Sequence, residues 1–155
     1  SSGHPSLGTM HANSVDTMIK RLETPPISLS SSLIESLDVV CIMSQTKVKG
    51  KDVRRLREVV EIVNIEQSRA VTKTPFSWDP VTDSFIFNLA DSHIFKKLIT
   101  YHGLSMAFIE NEFNLRSKLI ISMYNHKVFD FKKVQEVISE YYKDPKNVLR
   151  KFGVI

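Results

Sequence analysis

Two apolar runs rich in β-branched residues, 38–48 and 57–65, flank Lys49-Gly50-Lys51-Asp52. A glycine-containing turn between two such runs predicts a β-hairpin. That hairpin constrains the fold most, because helical periodicity surrounds it on both sides. The chain must therefore bury a sheet against helices. Polar residues 67–75 follow as the best candidate boundary. A second hairpin is expected from Thr74–Trp78 and Phe85–Asn88, with its turn at Asp79-Pro80-Val81-Thr82-Asp83.

Before the first hairpin, Leu7-Gly8-Thr9-Met10 is read as a short strand. Val15, Met18, Ile19 and Leu22 then fall at i, i+3, i+4 and i+7, the spacing of one helix face, capped by Asn13 or Ser14. Asp16 in the first turn and Lys20-Arg21 in the last suit the helix dipole, and Pro25-Pro26 ends the helix. A short helix over residues 31–37 follows, capped from Ser30-Ser31-Ser32. From Asp91 the chain reads as helix throughout. One helix closes at Gly103, and Ser105 caps a long one whose stripe is Met106, Ile109, Phe113, Ile120 and Met123. Asp130 caps another with Phe131, Val134, Ile138 and Tyr141, and Asp144-Pro145 opens the last.

Of the 155 residues 42% are hydrophobic and 25% charged, which is ordinary globular composition rather than a disordered tail. The longest apolar run, Val39-Val40-Cys41-Ile42-Met43, is far short of a membrane span, and no charged-then-apolar leader is visible. The single cysteine, Cys41, lies inside that run and is read as a buried core thiol in a reducing cytosol. A net charge of +4 does not argue for nucleic acid by its size. Its distribution is uneven, with Lys47, Lys49, Lys51, Arg54, Arg55 and Arg57 against Asp52 alone. Such a ribbon tip is most simply solvated and guards a sheet edge; contact with acidic lipid is the weaker alternative. No aromatics interleave the cations, so a single-strand nucleic-acid platform is not supported.

Chemistry-bearing motifs are few. The five glycines build no phosphate loop, and no Gly-Lys-Ser/Thr occurs. His4, His11, His93, His102 and His126 are dispersed, without metal-ligand spacing. No serine stands in a nucleophile elbow, and nothing activates Cys41. His11, at a strand-to-helix junction, could reach a ligand at a sheet's carboxyl edge, as in α/β folds; satisfying a local backbone group is the plainer role. Phe76, Trp78, Phe85 and Phe87 are read as one buried hairpin face packed on the C-terminal helices rather than an exposed peptide groove.

An ordered series of segments carries a family likeness. Gly3-His4 followed by Gly8-Thr9-Met10-His11-Ala12-Asn13-Ser14 resembles the histidine box of secretion, pilus and archaellum motor ATPases, the type II/IV secretion superfamily. Arg21-Leu22-Glu23-Thr24-Pro25-Pro26-Ile27 and Ile34-Glu35-Ser36-Leu37-Asp38-Val39-Val40 resemble segments of its archaeal branch. So do Arg54-Arg55 with Val59-Val60-Glu61-Ile62, and Phe76-Ser77-Trp78-Asp79-Pro80-Val81-Thr82-Asp83. Arg116 and Tyr141-Tyr142-Lys143-Asp144-Pro145 fall where that branch has its C-terminal helices.

The resemblance implies an α/β fold: the C-terminal part of a RecA-like ATPase domain, then a helical subdomain. Residues 1–66 would be the RecA-like remnant, 67–90 a linker and hairpin, and 91–155 the helical subdomain. In that family the histidine box lies near the γ-phosphate and helps sense or position it. Carried over, His11 is the box histidine, Thr9 its strand-end partner and Arg21 a weaker candidate for coupling to a neighbour. The segments that hold ATP and Mg²⁺ have no counterpart in this sequence, so this chain is expected not to hydrolyse ATP alone. The implied parent is a cytoplasmic homohexamer, peripheral to the membrane, acting on a membrane platform protein. The alternative is a non-catalytic module that docks on a partner in the secretion machine.

Overall fold

A computed structural model describes residues 4–66 and 69–155. The chain divides into two compact units, Ser1–His102 and Gly103–Ile155.

The first unit opens with α1 (Val15–Glu23), whose N-cap is Ser14: its Oγ accepts from the Thr17 N–H at 3.2 Å. After the prolines, α2 is a single turn (Ser31–Ile34), shorter than the expected 31–37. Four strands follow: β1 (Val39–Val48), β2 (Lys51–Glu66), β3 (Arg69–Asp79) and β4 (Ser84–Phe87). They form one antiparallel sheet in the order β1-β2-β3-β4. A 3₁₀ turn (Leu89–Asp91) leads into α3 (His93–His102). The result is a mixed α/β unit whose sheet is wholly antiparallel among the described residues.

Both hairpins stand where the turn chemistry puts them. Val48 pairs Lys51, and Lys49 and Gly50 between them have φ of 49° and 77°. Two successive positive φ values define the turn whose twist matches a two-residue hairpin. The apolar spacing of α1 also has its predicted outcome. Val15, Met18 and Ile19 join Ile34, Ile42, Val60, Ile62 and Ile65 in one buried cluster, with Ile19 fully enclosed.

Four expectations are corrected. Residues 7–10 are not a strand, because no described strand lies alongside to complete their hydrogen bonds. Cys41 is exposed rather than buried: strand residues alternate, and its neighbour Ile42 takes the inward side. Within 67–90 the expected hairpin is present, Ser84–Phe87 pairing with β3, but the stretch before it is strand rather than linker, since β3 begins at Arg69 and pairs with β2; residues 67–68 lie outside the described residues. The aromatic hairpin face is only partly covered. Trp78 is buried and Phe87 meets Phe95 of α3 edge-on, but Phe85 and Phe87 keep exposed surface.

The second unit comprises α4 (Met106–Asn125), α5 (Phe131–Lys143) and α6 (Pro145–Lys151). Ser105, Asp130 and Asp144 each accept a first-turn N–H through the side chain. The buried cluster is Leu119, Met123, Val137, Tyr141, Val148 and Leu149. The stripes expected from spacing are buried in part: Ile109 and Met123 of α4 and Tyr141 of α5 are buried as expected. Phe113, Ile120, Phe131 and Ile138 are exposed, while Leu119 and Val137 face inward.

Candidate functional site

The junction before α1 is held from two directions. The Arg21 guanidinium, one turn from the end of α1, donates through Nη1 to the His11 carbonyl. Arg57 on β2 donates through Nη2 to the Asn13 carbonyl at 3.3 Å. A chain irregularity aims Arg57 there. Ile42 faces Glu58 and Met43 faces Leu56, so Arg57 is an extra residue on β2. A bulge of this kind breaks the strict alternation of side chains and redirects one of them. It also explains how sequence neighbours Arg57 and Glu58 can pair, at 2.8 Å.

Of the residues singled out in the sequence, the structure therefore brings His11 and Arg21 together, through the histidine's backbone rather than its ring. Thr9 and His11 are both exposed in the segment that leads to α1. Gly3 lies outside the described residues, and His4 is exposed. The arrangement fixes the path of residues 11–13 while leaving the imidazole at the surface. Sequence reasoning missed Arg57, whose only signal was its place in the basic run.

A second polar cluster organises the sheet edge. Arg55 grips Asp83 with both forks, Nε and Nη2 each donating to a carboxylate oxygen at 2.8 Å. Trp78 adds an Nε1 donor to Asp83 at 2.9 Å. These bonds, from Arg55 first and then Trp78, hold the Asp83 carboxyl down to about 2. Asp83 has φ 53°, a conformation that aspartate tolerates better than most residues. Two of the six cations in the basic hairpin are thus engaged within the sheet unit, whereas Lys47, Lys49, Lys51 and Arg54 are exposed. The exposure of those four agrees with a solvated ribbon tip.

In the helical unit, Glu112 accepts from Arg116 Nε and from the Tyr141 hydroxyl, both at 2.8 Å. Burial raises the Glu112 carboxyl, but these two hydrogen bonds outweigh it and the net shift is downward. The Arg116 guanidinium lies 5.6 Å from the Tyr141 ring centroid and 5.7 Å from that of Tyr142, within cation–π range.

Among the described residues no group of three His, Cys, Asp or Glu converges to hold a metal ion, and no helix is long and apolar enough to cross a membrane.

No family model matches the chain. Three proteins of Methanocaldococcus jannaschii are similar to it over nearly its whole length. Uncharacterized protein MJ1287 is 28% identical over 90% of this chain, uncharacterized protein MJ0900 30% over 91%, and uncharacterized protein MJ0781 25% over 92%. The chain spans 52%, 26% and 20% of their respective lengths. The same stretch therefore recurs inside longer archaeal proteins of quite different sizes.

Proposed function

We propose that this chain is a portion of a secretion, pilus or archaellum motor ATPase, lying beyond the phosphate-binding segments of a RecA-like domain. The observation that carries the reading is the junction at residues 11–13. Arg21 and Arg57 hold its carbonyls and leave the His11 ring exposed. A fixed backbone at this point limits where the His11 ring can reach, and a polar group held near a developing charge lowers a barrier. Archaeal relatives that extend well beyond this stretch support the reading, because nucleotide-binding segments would then lie elsewhere in the longer chain. The residues described here do not themselves fit ATP or Mg²⁺, since no phosphate loop and no convergent metal ligands are among them. In this proposal the longer protein supplies both sites, assembles as a homohexamer in the cytoplasm and works against a membrane platform.

The experiment compares ATP turnover of the longer protein with and without His11→Ala. Turnover should fall at least tenfold, with the melting temperature unchanged, because an exposed ring contributes little to packing. Unchanged turnover would remove the ligand-facing role of His11. Residues 1–155 alone should show no hydrolysis above background.

A further inference from the structure

We propose that the helical unit carries a docking groove for an amphipathic α-helix of a partner protein, one that presents an acidic residue towards Arg116. The proposal stands on residues 103–155 and does not depend on the ATPase reading.

The groove lies between α4 and α5 and measures about 480 Å³. Its walls are two rows at four-residue spacing: Arg116, Ile120 and Tyr124 on α4, and Val134, Ile138 and Tyr142 on α5. Residues four apart on a helix stand above one another, so each row forms a continuous ridge. Behind these rows run the core-facing Leu119 and Met123 of α4 and Val137 and Tyr141 of α5. Each helix therefore presents two adjacent ridges, the inner one buried and the outer one partly covered only at Val134, while Ile120, Tyr124, Ile138 and Tyr142 stay exposed. Ile120, Tyr124 and Tyr142 are 66%, 68% and 71% exposed, and Phe129 closes one end with 64% exposed. Large apolar side chains in such numbers on one face mark an interaction site rather than chance exposure.

The shape selects the occupant. Two neighbouring helical ridges leave a trough that a third helix fills, with anchors at i, i+3, i+4 and i+7. Charge selects its chemistry. Residues 103–155 hold nine Lys and Arg against six Asp and Glu, so like-charged copies of this unit repel. Arg116 is the one charged residue lining the groove. Its Nε is used on Glu112, and the side chain, lying over the Tyr141 and Tyr142 rings, stays about half exposed. A guanidinium carries five donors in a fixed fork, which suits a carboxylate.

The probe is a display library of single-helix peptides selected on the full chain. Enriched sequences should share an apolar i, i+3/i+4, i+7 stripe and an acidic residue near one end. Synthetic winners should lose at least tenfold in affinity for Ile138→Glu, and equally for Ile120→Lys, while binding Lys146→Glu unchanged. Arg116→Gln should erase the preference for the acidic residue but keep the apolar stripe. Circular dichroism and melting curves establish that each variant is folded; both isoleucines are already solvent-exposed, so folding should survive. Three results would overturn the proposal: no enrichment, winners indifferent to both groove variants, or a concentration-dependent dimer in light scattering that Ile138→Glu dissolves. The last would make a second copy the occupant.

Discussion

Glu61 on β2 accepts a 2.7 Å hydrogen bond from the hydroxyl of Ser92, and both side chains are buried, at 4% and 1% exposure. The same carboxylate accepts the backbone N–H groups of His93 and Ile94. Ser92 in turn accepts from the Phe95 N–H at 3.1 Å. A strand carboxylate and a hydroxyl together satisfy the orphan donors that begin α3, and a negative charge there also meets the positive end of the helix dipole. Glu61→Ala leaves the buried Ser92 hydroxyl and the partly buried His93 and Ile94 N–H groups without that acceptor. It should cost roughly 2–4 kcal/mol, because unmade buried hydrogen bonds carry the full desolvation penalty. Ser92→Ala should cost less, and in a double-mutant cycle with Glu61→Ala the two losses should fall short of additive. Urea denaturation of the four proteins measures this; strict additivity would show that the two side chains act separately.

Ile19 is fully enclosed at the centre of the cluster formed by α1, α2 and the sheet. Ile19→Ala removes methylene groups that the close-packed surroundings cannot replace. A loss of about 2–5 kcal/mol is expected, with the melting temperature falling accordingly. The neighbouring Lys20 is exposed, and Lys20→Ala should stay within about 0.5 kcal/mol of the parent. Denaturant midpoints at constant slope test the pair.

Local chemistry made the helices and hairpins legible. Ser14, Asp130 and Asp144 cap as their residue types promise, and Lys49-Gly50 turns the first hairpin. These features rest on side chains acting within a few residues of themselves. What was not legible depends on partners distant along the chain. Cys41 sits in an apolar run, yet which face of β1 is buried depends on α1 and α2 packing over Ile42. On α4 the spacing found Ile109 and Met123 but not Leu119, which is buried in one cluster with Val148 and Leu149 of α6 while Ile120 stays exposed. Arg57 could not be placed at the 11–13 junction from its spacing, since a bulge resets the alternation just there. Glu61 did leave a trace: a lone carboxylate inside Val59-Val60-Glu61-Ile62-Val63 is rarely buried without a partner. The sequence does not say that the partner is the start of α3.

The first hairpin offers a stabilising change. Lys49 has φ 49° and carries a Cβ in a region that disfavours one, whereas Gly50 at φ 77° has open space around it. Asparagine tolerates this conformation better than lysine and stands first in the preferred Asn-Gly pair. Lys49→Asn should therefore stabilise the chain by roughly 0.5 kcal/mol. Gly50→Ala should destabilise it by about 1 kcal/mol through backbone strain alone, since no atom lies within 4 Å of the added methyl. Thermal melts should place the two variants on opposite sides of the parent, and a shift of the same sign in both would contradict the turn assignment.

Hydrogen bonds from Arg55 and then Trp78 hold the folded Asp83 carboxyl at about 2, below the ~3.9 of an unfolded aspartate. A group whose folded value is depressed binds its proton more readily when unfolded, so its contribution is complete above the unfolded value. As pH falls from about 4 towards 2 the unfolded chain takes up the proton first, and that contribution drains away. In Asp83→Asn the carboxylate is absent, and the Arg55 fork loses its charged acceptor while Trp78 keeps at most a neutral one. The variant should be less stable than the parent at pH 7, with the gap narrowing steadily between about pH 4 and 2. Trp78 reports on the same cluster, because its Nε1 donates to Asp83. Its emission in the folded parent should change as Asp83 protonates near pH 2 and stay flat in Asp83→Asn. Denaturation curves at several pH values, read beside that emission, test both parts. A stability gap independent of pH would mean that Asp83 serves by shape and not by charge.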